Sequence, residues 1–348
     1  MKITKIPGLG RFGVFVDDVD LNTITNEQWM QLGKIHLESL VTIIRGNDLD
    51  HATYYDLFTQ WGTPRYSRPV NFYLKYGKSM KDLVLNNELD EADKNELRLG
   101  RLWQPDKRRP GMIRVTGKVN QNGDPLGVFD SGELLWHSNE CSDPAFTPGV
   151  SLMGWENMTG SCTGFATTAD WFESQTESFK SELRELVTVN NYKPASLNPV
   201  IKEQQEQFYK NNMCPIPNGE IPLIITSPGG IEGVHLPAVS FDYFKGMSKE
   251  ESKKLYDRIW SEIITDKNIY EHWYKNDKDI LIFDNSITLH NRRIENNGVS
   301  PGRVGYRIQF DYNKLVGDYT PYRQEPFNLQ RQERMAIMKK ATEGMLFQ

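Results

Sequence analysis

Hydrophobic and polar positions along the chain follow two rhythms, helical at first and then mostly strand-like. Thr25 and Gln28 form a capping-box pair ahead of Trp29, Leu32 and Ile35, which predicts a helix with one apolar stripe. Leu40 to Gly46, LVTIIRG, reads as a buried strand closed by a glycine. A second helix is predicted from Asp50 to Trp61, with Tyr54, Leu57, Phe58 and Trp61 on one face and Gly62 and Pro64 as stop signals. Between about residues 66 and 132 the periodicity weakens. From Glu133 onward WHSNE, GVSLMGWE and GSCTGFATT are short runs bounded by Gly and Pro. Such runs favour a sandwich or barrel.

Two helices interrupt this β text. One starts at Thr176, with Phe179, Leu183, Leu186 and Val187 at helical spacing. The other starts at the Ser248–Glu251 capping box and carries Leu255, Ile259 and Ile263 four apart. Strand text resumes at DILIFDNS and RVGYRIQFDY. The tail after about Arg323 is charged and reads as a helix, placed either on the core or on a second subunit. The expectation is one mainly β domain over 1–348 with flanking helices. Insertions near 66–130 and 190–245 would form lid and pocket, since long loops in compact domains are usually functional.

Composition narrows the class. The 348 residues are 38% hydrophobic and 25% charged, with a net charge of −5. That balance suits a globular chain and argues against a nucleic-acid binder working by bulk electrostatics. No window approaches 18 consecutive apolar residues, so no membrane-spanning helix is expected. The opening MKITKIPGLGRFGVFVDD has no apolar leader segment. Three cysteines, Cys141, Cys162 and Cys214, with no CxxC pair, suggest reduced thiols and a cytoplasmic setting. Lys107, Arg108 and Arg109 read as a solvated loop rather than an anion site.

Chemistry points to two of the six histidines. His36, His51 and His272 lie in text that reads as helical and polar, which suggests surface or capping roles. His235, in GVHLPAV, reads as structural, with a pocket role open. His137 closes a β run and His290 follows DILIFDNSITL, so each would sit at the mouth of a β-sandwich. Two imidazoles and an oxygen on one face make the facial triad of non-heme iron(II) oxygenases. Arg303 and Arg307, four apart in strand text, would share a face. An inward arginine is costly unless it holds a carboxylate, which its planar fork grips bidentately.

The order Trp-His-x-(Asp/Glu), a Gly-rich run with a Thr, Asp-Asn-x-x-x-x-His and then two arginines resembles the taurine dioxygenase family of Fe(II)/2-oxoglutarate-dependent oxygenases. The resemblance covers nearly the whole chain, and KDILIFDNSITLHNR is its most specific stretch. It implies a double-stranded β-helix, or jelly roll, that uses Fe(II), 2-oxoglutarate and O2 to hydroxylate a small molecule. It implies that His137 and His290 ligate iron and that Thr163 bonds a 2-oxoglutarate carboxylate. It implies that Arg307 grips the distal carboxylate with Arg303 near the other end. It places Arg68 and Asn71 near the substrate.

The chain departs from the family at one point. Asn139 stands where the family has Asp or Glu, with Glu140 one step further. Regular strand alternation would put Asn139 on the side of His137, and Glu140 could reach a metal only if a bulge or turn re-aims it. Asn139, Glu140 or neither therefore completes the site. A halogenating or desaturating relative and an iron-less binding protein are the competing readings. Substrate identity and homo-oligomerisation are left open.

Overall fold

The computed structural model describes residues 1–65, 69–91, 93–94, 109, 111–118, 120–121, 126–127, 134–190, 219–238, 240–292 and 302–343, with the backbone alone for 69–71. Arg68, Lys107, Arg108, Cys214 and much of the two expected insertions lie outside the described residues. Two facing sheets dominate. The larger runs in the order β1 (Lys2–Lys5), β2 (Val14–Asp17), β3 (Val41–Ile44), β14 (Ile280–Asp284), β6 (Gly149–Glu156), β16 (Val304–Phe310), β4 (Met112–Thr116). The smaller runs β13 (Tyr270–Trp273), β7 (Cys162–Thr167), β15 (Thr288–Arg292), β5 (Leu134–His137). A three-stranded unit, β12 (Phe241–Phe244), β8 (Val187–Asn190), β9 (Glu220–Pro222), and a hairpin, β10 (Ile224–Thr226) with β11 (Glu232–Val234), lie beside them. Among the described residues all strand pairings are antiparallel except β2 with β3. This is the jelly-roll arrangement expected from the sequence.

Helices cover the outer faces. α1 (Asn26–Ser39) is capped by the Thr25/Gln28 box, and Asp50 caps α2 (His51–Trp61) by accepting from the Ala52 and Thr53 amides. Their apolar stripes pack Trp29, Leu32, Tyr54, Phe58 and Trp61 against Met153, Ile282, Tyr306 and Phe310 of the larger sheet. Two short helices, α3 (Pro69–Tyr76) and α4 (Met80–Leu85), follow. On the outside of the smaller sheet α5 (Ala169–Glu173), α6 (Glu177–Glu185) and α7 (Lys249–Ile263) bury Trp171, Phe172, Leu183, Ile259 and Ile263 against Leu289. The sequence pattern carried α6 on to Val187. The chain instead leaves the helix at Leu186 and enters β8, because Val187 pairs with Pro222. After α8 (Asn313–Val316), α9 (Glu325–Ala341) crosses back over the body of the protein.

Two histidines differ from their sequence reading. His36 is fully buried: its ring lies 5.8 Å from Trp61, with Nδ1 3.0 Å from the Thr42 hydroxyl and Nε2 2.8 Å from the Tyr312 hydroxyl. His272 belongs to β13 and is buried with Nε2 3.0 Å from Asp279 Oδ2. Polar partners satisfy both, Tyr312 from 276 positions away for His36 and Asp279 from seven positions away for His272. Burial holds His36 down at about 3. As pH falls from the ordinary histidine value, the unfolded chain takes up a proton that folded His36 refuses. Stability should therefore decline with falling pH, by up to about 1.4 kcal/mol per unit from this residue. In urea denaturation from about pH 6.5 to about pH 4, His36→Gln is expected to show a shallower decline than wild type; equal slopes would contradict it.

Candidate active site

The site grows from one cross-strand pair. β5 and β15 are neighbours, and their register sets His137 opposite His290. The ring centroids are 4.1 Å apart. Both face the interior: His290 pairs with Phe165 of β7 and packs 4.6 Å from Phe283, two residues of the core between the sheets. His137 Nδ1 is 2.7 Å from the Leu135 carbonyl. A carbonyl only accepts, so Nδ1 carries the proton and Nε2 keeps a free lone pair. Nδ1 of His290 has no hydrogen-bond partner among the described residues. Burial pulls His137 down to about 4 and His290 well below its usual value, and the Arg307 charge adds to both effects. Neutral, convergent imidazoles are what a divalent metal requires.

Beyond His137 the chain turns. Asp284 Oδ1 accepts from the Ser286 and Ile287 amides, shaping the bend that leads into β15. Asn285, fully buried, grips the other side of the site. Its Oδ1 accepts from the Asn139 amide at 2.7 Å, and its Nδ2 donates to the carbonyls of Asn139 at 2.8 Å and Thr147 at 2.9 Å. The Ser138 hydroxyl donates to the Thr288 carbonyl at 3.1 Å. β5 ends at His137, so strand alternation does not govern Asn139 and Glu140. Glu140 adopts a left-handed φ of 57°. Its carboxylate accepts from the Thr147 hydroxyl at 3.0 Å and amide at 3.3 Å. Asn139 Nδ2 is buried with no hydrogen-bond partner among the described residues. Among the described residues, no three His, Cys, Asp or Glu side chains form a group that could hold a metal.

The arginines come from β16. Val304, Tyr306, Ile308 and Phe310 pack under the helices, so alternation turns Arg307 and Gln309 toward the smaller sheet. Arg307 lies opposite Leu152, which packs against the core between the sheets, and donates to Gln309 Oε1 at 2.9 Å. Burial lowers Arg307 to about 10, against the opposing pull of Glu140 and Tyr54. Arg303, just ahead of β16, is buried. Thr163 of β7 lies opposite His272 of β13, and the Arg307 charge acts on both site histidines. His235 stands apart, fully buried with its ring nitrogens 2.7 Å from the Ser286 carbonyl and 2.9 Å from that of Cys141. Asn71 lies in α3, described there by its backbone alone.

Sequence reasoning passed over Asn285 and Gln309. Both sit inside quoted strand segments, where turn chemistry and strand parity could have signalled them.

A sequence model of the "Taurine catabolism dioxygenase TauD, TfdA family" matches residues 2–309. The chain belongs to the TauD/TfdA family. It is therefore a 2-oxoglutarate-dependent dioxygenase. Comparison with curated protein sequences finds no significant match. Among solved structures, a taurine dioxygenase from Burkholderia xenovorans is similar over 97% of this chain and 99% of its own, with TM-score 0.60 and 14% identity. The structure of AAD-2 with Mn(II) and N-oxalylglycine is similar over 89% and 97%, with TM-score 0.58 and 16% identity. These likenesses share the fold. No helix among the described residues is long and apolar enough to cross a membrane.

In this TauD/TfdA member the Asn285 side chain fixes the backbone beside the first histidine. Asn285→Ala removes three buried hydrogen bonds and strands their partners. It should cost about 2–4 kcal/mol in chemical denaturation and speed amide exchange at Asn139. Unaltered exchange there would show that the clamp does not hold the turn.

Proposed function

We propose that this chain is an Fe(II)/2-oxoglutarate oxygenase that hydroxylates a small molecule, with His137 and His290 holding the iron. The cross-strand imidazole pair, neutral and facing inward beside Arg307, carries this reading. The donor set fits a first-row divalent ion: the Leu135 carbonyl fixes the His137 tautomer that leaves Nε2 available, as outer partners of ligating histidines do. Bound Fe(II) with 2-oxoglutarate and O2 supplies the oxidant for an unactivated C–H bond, with succinate and CO2 released.

The chain's own residues bind, orient and exclude water. Thr163 and Arg303 together suit the distal carboxylate of 2-oxoglutarate. Arg307, beside the histidines, suits charge close to the metal. The resemblance divided the two arginines the other way, with Arg307 at the far end, and that division is the alternative. Asn139 takes the third position as a neutral oxygen donor, with Glu140 engaged at Thr147. That neutrality supports a second reading, a halogenating relative in which an exogenous halide fills the place of the carboxylate. Arg68 and Asn71 remain candidates for substrate contact.

Anaerobic addition of Fe(II) and 2-oxoglutarate should raise a visible metal-to-ligand charge-transfer band. Its absence at saturating ligand would overturn the oxygenase reading in favour of a binding protein. His137→Ala and His290→Ala should each abolish iron retention with the fold intact, since apolar strand faces build the core.

Asn139→Asp should tighten iron binding, because a carboxylate adds charge attraction at a hard ion. Glu140→Gln should leave iron affinity within about twofold, a difference of only about 0.4 kcal/mol. Loss of metal in Glu140→Gln, with Asn139→Ala harmless, would assign the position to Glu140.

A further inference from the structure

Arg331 of α9 is a buried guanidinium that grips backbone. Its Nη1 donates to the Pro144 carbonyl at 3.2 Å and to the Phe146 carbonyl at 3.0 Å. Its Cζ lies 5.3 Å from the centre of the Phe146 ring and 5.1 Å from that of Tyr319. Among the described residues no carboxylate forms an ion pair with it. A buried cation without such a partner is expensive, and an apolar side chain of similar volume often serves stability as well. What the arginine adds is a fixed position for two carbonyls. The next residue shows what that position serves. Thr147 follows Phe146 and meets both sides of the turn after His137. Its hydroxyl and amide donate to Glu140 at 3.0 and 3.3 Å, and its carbonyl accepts from Asn285 Nδ2 at 2.9 Å. Asn285 in turn holds the Asn139 amide and carbonyl. The Phe146 ring stacks 4.8 Å from that of His235, whose nitrogens face the carbonyls of Cys141 and Ser286. A shift of Phe146 would therefore reach Glu140, Asn285 and Cys141 together.

We infer that Arg331 is a positioning residue for the metal centre: it fixes Phe146, and through Thr147 it sets where the Asn139–Glu140 turn stands beside His137 and His290. This rests on the metal reading given above. Arg331 is not a ligand and acts only through the backbone of residues 144–147.

The test is calorimetric titration of the full-length, metal-free protein with Co(II), together with amide exchange. Arg331→Met fills the space without a donor and should weaken Co(II) binding by about tenfold, roughly 1.4 kcal/mol. Arg331→Lys keeps a charged donor but loses the planar contact with the two rings, and should weaken binding by about threefold. In both variants the Thr147 and Asn139 amides should exchange faster than in wild type before metal is added. Ile259→Ala, in the apolar layer under α7, is the control. It should lower the melting temperature and leave Co(II) affinity within about twofold. Wild-type Co(II) affinity in Arg331→Met would overturn the assignment, and so would a weakening that Ile259→Ala reproduces. Should Arg331→Met not fold, Arg331→Lys decides alone, and unchanged affinity in it would overturn the assignment. If wild type took up no Co(II), the metal reading itself would fall, and the role of Arg331 with it.

Discussion

The site depends on one register. β15 must lie between β7 and β5 with His290 opposite both Phe165 and His137. A slip of one residue would turn each side chain to the other face of the sheet. The histidines would then meet the apolar layer under α5 to α7, and Leu289 would enter the site. Apolar burial on both faces holds the register: Leu289 packs outward while Phe165 and Phe283 pack inward. The imidazoles are thus fixed by forces that have nothing to do with metal.

Once the pair is placed, the turn after His137 has to be held. A turn that runs through a left-handed residue, Glu140, is not favoured by its own backbone. Asn285 fastens it from the strand side. From the other side α9 reaches over. Arg331 donates to the carbonyls of Pro144 and Phe146 at 3.2 and 3.0 Å, and Arg334 pairs with Asp143 at 3.3 Å. Arg65 joins Asp311 at 2.8 Å and reaches the Ala145 carbonyl at 3.4 Å. These are buried charges, and removing one partner of such a pair typically costs about 3–5 kcal/mol. The loop that carries Asn139 and Glu140 is therefore held at both ends. The family match stops at residue 309, so α9 adds its contacts from beyond the matched region.

Between the sheets a polar neighbourhood surrounds the histidines: Arg307, bonded to Gln309, with the Glu140 charge acting on it. The buried Arg307 charge draws anions to this space. It also depresses the histidines further, keeping their lone pairs available at neutral pH.

Much of this was legible in the sequence. Capping boxes at Thr25 and Ser248 and apolar stripes set the helices, because those signals act within a few residues. The fold came from motif order, with the departure at Asn139 visible in the same text, whereas the roles of His137, His290 and Arg307 rest on the resemblance. What the sequence could not determine was set by contacts between distant segments. Burial of His36 needed Tyr312, 276 positions away, and the Asn139 turn needed Asn285, 146 positions away. Strand parity pointed to Asn139, but the strand ends at His137, where a tertiary clamp takes over from local geometry. The sequence fixes alternation along one strand, whereas only packing decides which residues of another strand lie across the gap.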